Sequence, residues 1–249
     1  MVLSFQRQDV FFDLLIIDAI SYAASVISLL FIKANFQGKR EVAARKLWVE
    51  IWEGLCWLWH HPLFRYMALF TGGCNLIFSG YTLILIVLAQ SMHVSSSIIG
   101  VILAVGGLGG IVGAIIAPYL QRCFSFGRLI IASCWMMAIT MALYLVAPNL
   151  IVLGMVGFFS LIASPVYNVV QFSYRSALIP DALQGRVNSV FRLIAFGGLP
   201  IGLALIGWLL QSIGATMTII CCAIALSLLA LSMTFNGYVR HAQPLTSKE

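Results

Sequence analysis

Long apolar runs, separated by short polar segments, follow one another along almost the whole chain. Each run approaches the about 20 residues that an α-helix needs to cross the hydrocarbon core of a bilayer. The pattern therefore predicts an all-α integral membrane protein with about seven transmembrane helices. The predicted spans are Phe11–Ile32, Tyr66–Ala89, Ile98–Leu120, Leu129–Val146, Leu150–Phe172, Val190–Leu210 and Ala215–Phe235.

The basic residues between these runs predict the orientation of the chain. Every Lys and Arg except Arg7 lies in alternate gaps, or just inside the run that follows the gap. Because basic loops stay in the cytoplasm, we expect the C-terminus inside and the N-terminus outside. The residues that define this pattern are Lys33, Lys39, Arg40, Arg45, Lys46, Arg65, Arg122, Arg128, Arg175, Arg186, Arg192, Arg240 and Lys248.

Composition excludes several classes of protein. With 61% hydrophobic and 9% charged residues, the chain is not an ordinary soluble domain. The formal charge of +6 follows from the basic loops, so we expect no nucleic-acid partner. The six cysteines form no C-x-x-C pair and lie mostly in apolar spans, which predicts neither disulfide nor metal. No nucleophile–base set or phosphate-binding loop appears, so we expect neither an enzyme nor a cofactor.

The first long gap contains a candidate helix at residues 40–59. Its leucine and isoleucine positions recur at helical spacing, and most of its charged residues fall elsewhere. Four of the six tryptophans of the chain are Trp48, Trp52, Trp57 and Trp59. Tryptophan and basic residues on an amphipathic helix are typical of the headgroup layer, so we predict an interfacial helix that ends at His60-His61-Pro62.

Two spans carry polar residues on one helical face. Steps of three and four residues align Thr71, Asn75 and Ser79 in the second span. The same steps align Ser160 and four later polar positions in the fifth. Such faces avoid lipid, so they either form hydrogen bonds between helices or line a water-filled cavity. The candidate cavity residues are Thr71, Asn75, Ser79, Ser164, Tyr167, Asn168 and Gln171.

Three further features of the spans bear on function or on helix packing. Asp18, a carboxylate inside the first span, is either a proton site or a structural residue. Gly109 and Gly113 form a G-x-x-x-G pattern that favours close helix packing. Pro200 should bend the sixth span, as a hinge or as part of static packing.

Three segments resemble major facilitator superfamily transporters. Residues 179–197, with the sequence IPDALQGRVNSVFRLIAFG, closely resemble a signature of the bacterial efflux-type branch, which includes enterobactin exporters and macrolide-efflux-like proteins. Residues 12–22, FDLLIIDAISY, are similar to the sixth helix of that family. Residues 50–63, EIWEGLCWLWHHPL, are similar to its central cytoplasmic loop and the start of its seventh helix.

The resemblance covers about residues 10 to 240 and implies an organisation of the chain. The family has twelve helices with both ends in the cytoplasm, so the seven spans would be helices six to twelve. Residues 1–33 would hold the last helix of a missing N-terminal half, and residues 34–65 the central loop. Residues 66–236 would form the C-terminal six-helix bundle, and residues 237–249 a cytoplasmic tail. Helices seven and ten of the family line its cavity, and they correspond to the spans with polar faces.

The resemblance also implies gate residues on the cytoplasmic side. Residues 113–128 resemble the family motif between helices eight and nine, although the acidic residue of that motif is absent. Arg122 and Arg128 therefore either hold an inward gate closed or anchor the loop in the cytoplasm. Asp181, Arg186 and Arg192 are better gate candidates, with a local pairing expected between Asp181 and Arg186.

The sequence thus supports a secondary active transporter in the bacterial cytoplasmic membrane. By the resemblance, it would export a small amphipathic molecule by alternating access, driven by a proton gradient. The chain would then be an N-terminally truncated fragment whose partners are the substrate, the bilayer and the missing half. The alternative is a non-transporting membrane scaffold or assembly subunit that docks through the glycine-rich third span.

Overall fold

The computed structural model describes residue 16 and residues 18–31, 47–147, 149–240 and 242. The chain divides into two compact units, Met1–Arg45 and Lys46–Glu249. The regular structure of the described residues is helical throughout, so the prediction of an all-α membrane protein is confirmed.

The first unit is described as a single apolar helix, α1 (Asp18–Leu30). The Ser25 and Ser28 hydroxyls donate to the carbonyl oxygens of Ser21 and Ala24, at 3.0 and 2.8 Å. These serines therefore satisfy their hydrogen bonds within their own helix. Three parts of the sequence predictions lie outside the described residues: most of the rest of the first span, Arg7, and residues 34–46 of the central loop.

The second unit contains six helical segments long and apolar enough to cross a membrane, among the described residues. They match the second to seventh spans predicted from the apolar runs. The helices of this unit are α2 (Leu47–His60), α3 (Pro62–Phe78), α4 (Tyr81–Ser91), α5 (Ser96–Cys123), α6 (Phe126–Leu143), α7 (Leu150–Leu178), α8 (Asp181–Phe196), α9 (Leu199–Ser212), α10 (Gly214–Phe235) and α11 (Gly237–Arg240).

Two of the membrane segments are interrupted. The second span breaks between α3 and α4 at Ser79–Gly80, and the sixth breaks between α8 and α9 at Gly197–Gly198. The predicted bend at Pro200 therefore needs correction. Pro200 lies in the first turn of α9, where its missing N–H costs no helical hydrogen bond, and the glycine pair before it carries the interruption.

Close helix approaches build the bundle around α7, which packs against α5 and α6. A Cβ atom added to Gly109 would lie 2.1 Å from the carbonyl oxygen of Phe158, and one added to Gly113 would lie 2.5 Å from that of Ile162. The G-x-x-x-G pattern of α5 is therefore used within the chain, against α7. In addition, α3 packs against α8 and α9, and α6 packs against α10.

The helix predicted in the first gap is present as α2, and its tryptophans divide between two environments. Trp48 and Trp52 are 81% and 65% exposed, whereas Trp57 stacks on His61 with ring centroids 3.9 Å apart. The inner face of α2 lies on α8, where a Cβ atom on Gly54 would lie 2.8 Å from the Arg186 carbonyl oxygen. The interfacial position of α2 in a bilayer stays a prediction.

Candidate substrate cavity

The two polar faces meet at a buried hydrogen-bond network between α3 and α7. The Thr71 hydroxyl donates its proton to the Met67 carbonyl oxygen at 2.6 Å. Its oxygen lies 2.8 Å from the Tyr167 hydroxyl and 2.9 Å from Nε2 of Gln171. Because the only Thr71 proton is already used, Tyr167 and Gln171 must both donate to Thr71. These three residues therefore join helices, which is one of the two roles expected for the polar faces.

A cavity of about 590 Å³ lies beside this network, between α3, α7 and α8. We call it the main cavity. Its wall combines amide groups, aromatic rings and two guanidinium groups. The lining residues are Thr71, Asn168, Val169, Gln171, Phe172, Ser173, Arg175, Asn188, Phe191, Arg192 and Phe196.

A smaller cavity of about 70 Å³ adjoins the main cavity through Thr71 and Asn168, which line both. Asn75, Ser164 and Tyr167 also line it. The Asn75 amide donates to the Ala195 carbonyl oxygen at 2.8 Å, close to the α8–α9 break. The Asn168 amide donates to the Ser164 carbonyl oxygen at 2.9 Å. Both roles expected for the polar faces are thus present, hydrogen bonding between helices and lining of a cavity.

Ser79 differs from the other predicted cavity residues. It lies at the α3–α4 break, and its hydroxyl donates to the Leu76 carbonyl oxygen at 2.8 Å. A Cβ atom on Gly202 would lie 2.5 Å from the Ser79 oxygen, so this serine packs against α9. It lines neither of the two cavities described above.

Arg175 lines the main cavity. The sequence put it on the polar face of the fifth span but not among the candidate cavity residues. Only 4% of the residue is exposed, and its Nε donates to Oδ1 of Asn188 at 2.8 Å. Its guanidinium carbon lies 3.8 Å from the centroid of the Phe191 ring, a cation–π contact. Its buried Nη1 has no hydrogen-bond partner among the described residues. The available signal was its position four residues after Gln171, on the same polar face.

Two of the predicted gate residues, Asp181 and Arg186, have partners other than those expected. Arg186 forms ion pairs with Glu53 and, at 3.5 Å, with Glu50, both on α2. The expected pairing of Asp181 with Arg186 is therefore wrong. Residues five apart on a helix do not share a face, and Asp181 instead accepts a hydrogen bond from Gln184 at 3.2 Å.

The remaining predicted site residues of the second unit occupy two places, the main cavity and the α5–α6 connection. Arg192 lines the main cavity, so the structure places it with the polar faces. Arg122 and Arg128 are exposed near the α5–α6 connection and form no ion pair with another described residue. Arg128 lines a separate, largely apolar cavity of about 460 Å³. Asp18 lies on α1 in the first unit, and the main cavity is lined by residues of the second unit alone.

Comparison with known proteins extends the resemblance in the sequence. Residues 11–247 match the family model described as transmembrane secretion effector, which is of the major facilitator type. The multidrug efflux pump Tap of Mycolicibacterium fortuitum is 22% identical over 226 residues, covering 88% of this chain and 54% of the relative. The chain thus spans about half the length of this relative. Because the family model matches nearly all its residues, the chain belongs to the transmembrane secretion effector family of major-facilitator-type membrane proteins.

Proposed function

We propose that the chain forms one half of a secondary active efflux transporter of the bacterial cytoplasmic membrane, and that the main cavity is part of its substrate path. The observation that carries this proposal is the meeting of two polar helix faces at an open cavity in an apolar bundle. Family membership and similarity to a protein named as a multidrug efflux pump support it.

The cavity walls favour a small amphipathic substrate. A volume of about 590 Å³ lies within the range of about 300–1,000 Å³ that is usual for small-molecule sites. Phe172, Phe191 and Phe196 offer apolar surface, while Asn168 and Gln171 offer amide groups. A molecule with an apolar body and a polar group would satisfy both parts of the wall.

Transport by alternating access requires a second helical bundle that closes the opposite side of the path. We propose that the six membrane segments of the second unit are the C-terminal bundle and that the first span belongs to the other half. The bundle would face the cytoplasm with the end that carries the basic residues. In that orientation, the main cavity would open towards the cytoplasm beside the last turns of α7 and the second half of α8.

Contact between the two interrupted segments supports the assignment of a transporter bundle. A Cβ atom on Gly202 of α9 would lie 2.1 Å from the Leu76 carbonyl oxygen, one turn before the α3–α4 break. One on Gly72 of α3 would lie 2.8 Å from the Ile194 carbonyl oxygen. Discontinuous helices of transporters line substrate paths, where their free backbone groups are satisfied by neighbours.

We also propose that transport is coupled to protons and that Asp18 is the candidate proton site, because it is a carboxylate within an apolar span.

The test uses the neutral fluorescent amphiphile N-phenyl-1-naphthylamine and the full chain in lipid nanodiscs, with empty nanodiscs subtracted. We expect saturable binding that weakens several-fold in Asn168→Ala and Gln171→Ala. Ser212→Ala, on an exposed residue outside the cavity lining, is the matched control. Binding that is unsaturable, or equal in all variants, would contradict the cavity assignment.

A second measurement tests the half-transporter part of the proposal. Proteoliposomes with the 249-residue chain alone and an imposed pH gradient should show no dye transport, because the proposal assigns the other wall of the path to a second bundle. Proton-dependent transport by this preparation would show that the chain needs no second bundle.

A further inference from the structure

We propose that the main cavity selects molecules that carry an anionic group on an aromatic or aliphatic body, and that Arg175 and Arg192 bind the anion. This inference rests on the proposed function and names its substrate class. The chemistry recognised is a carboxylate, sulfonate or phosphate attached to an apolar body of a few rings.

The charges around the main cavity do not balance within the described residues. Its lining contains two guanidinium groups and no carboxylate. In the described part of the second unit, the carboxylates are Glu50, Glu53 and Asp181. The first two hold Arg186, and Asp181 accepts from Gln184. The described groups of the second unit thus leave the lining of the main cavity with a positive charge.

Arg175 is held in place but not fully satisfied. Asn188 fixes Nε, and the Phe191 ring lies against the plane of the guanidinium. Both partners are neutral, and Nη1 has none among the described residues. Burial of a cation without a counter-charge is unfavourable, so an anion that enters the cavity supplies a partner that the described residues lack. Hydrogen bonds between a guanidinium and an anion are also stronger than those between neutral groups.

The rest of the wall indicates what the anion is attached to. Phe172 and Phe196 line the cavity together with Val169, whereas a small hydrated anion would leave this apolar surface wet. Arg192 is exposed and lines the same cavity, where its guanidinium offers the anion a second cationic group. The geometry therefore favours an amphipathic anion over free phosphate.

The test compares two probes with one aromatic body. N-phenyl-1-naphthylamine is neutral, and 8-anilino-1-naphthalenesulfonate has the same ring system with an added sulfonate. In nanodiscs of zwitterionic lipid, Arg175→Gln should weaken binding of the sulfonate roughly tenfold, as loss of one charge-assisted interaction predicts. Binding of the neutral probe should change less than twofold. Arg240→Gln removes an exposed cation outside the cavity lining and should affect neither probe.

Further variants keep the inference testable if Arg175→Gln does not fold, as judged by gel filtration. Arg175→Lys keeps the charge but loses the planar fork, and should retain part of the sulfonate preference. Arg192→Gln should lower the affinity for the sulfonate by a smaller factor. It should leave the affinity for the neutral probe unchanged. Equal sulfonate affinity in the wild type, Arg175→Lys and Arg192→Gln would overturn the inference.

The outcomes also separate this inference from the proposed function. Saturable, Asn168-dependent binding of the neutral probe without preference for the sulfonate would leave the transporter proposal standing and refute anion selection. A lipid headgroup presents the same chemistry, so the titration is repeated with phosphatidylglycerol in the nanodisc. If this lipid displaces the sulfonate from the wild type and Arg175→Lys at membrane concentrations, the anion is a headgroup and the substrate assignment fails.

Discussion

Arg186 of α8 donates a hydrogen bond to the carboxylate of Glu53 on α2, across 133 positions of the sequence. Glu50, one turn earlier on α2, lies 3.5 Å from the same guanidinium. All three side chains are partly exposed, at 27%, 31% and 19%. The pairing fixes the helix that precedes the first membrane segment of the bundle against the segment that lines the main cavity.

We expect this pairing to contribute modestly to stability. A double-mutant cycle with Glu53→Gln and Arg186→Gln should give a coupling free energy of about 0.5–1 kcal/mol, because solvent screens partly exposed ion pairs. Unfolding in nanodiscs, followed by circular dichroism at low and high salt, measures it. Glu50→Gln should couple more weakly. A coupling of zero at low salt would show that the ion pair does not hold α2.

Close packing of α5 on α7 predicts that alanine substitution destabilises the bundle at one glycine of α5 but not at another two positions away. Gly109→Ala should destabilise the bundle by about 1–3 kcal/mol, since the added methyl group meets the Phe158 carbonyl oxygen. Gly107→Ala is the matched control, because a Cβ atom there meets nothing within 4 Å. Thermal unfolding of both variants measures the difference. Equal melting temperatures would contradict the observed approach of the two helices.

The network around Thr71 predicts a cost for a substitution of equal shape. Thr71→Val removes the oxygen that accepts from Tyr167 and Gln171 and leaves their buried donors without this partner. We expect a loss of about 1–3 kcal/mol in the free energy of unfolding. Thr82→Val, at an exposed position of the same membrane segment, should be nearly neutral. A similar loss in both variants would mean that the network adds no stability.

The tryptophans of α2 predict contact with lipid at defined positions. In variants that retain a single tryptophan, Trp48 fluorescence should be quenched strongly by lipids brominated near the headgroup. Trp57 should be quenched less, because it stacks on His61 and Phe64. Leucine replaces the other tryptophans in both variants, and quenching is compared at equal bromolipid content. Stronger quenching of Trp57 than of Trp48 would refute the interfacial position of α2.

The local pattern of apolar and polar residues was sufficient to predict the membrane segments and the polar faces of two of them. The length of an apolar run and the spacing of Thr71, Asn75, Tyr167 and Gln171 depend only on neighbours along the chain. For this reason the second to seventh predicted spans agree with the membrane helices among the described residues. The family match agrees with the resemblance to major facilitator transporters, whereas the efflux-type branch and the numbering of the helices stay predictions.

Tertiary structure alone decided which of these residues meet. Thr71 and Tyr167 are 96 positions apart, and no local pattern states that their hydroxyls share a hydrogen bond. Arg186 had a carboxylate five residues away in Asp181, yet it pairs with Glu53 because the packing of α2 on α8 brings those side chains together. The sequence put Arg175 on the polar face of the fifth span, beside a basic gap. Only its contacts with Asn188 and Phe191 of α8 show that it is buried and that its Nη1 has no partner among the described residues. Sequence spacing sets the face on which a side chain lies, but only helix packing sets what that face touches.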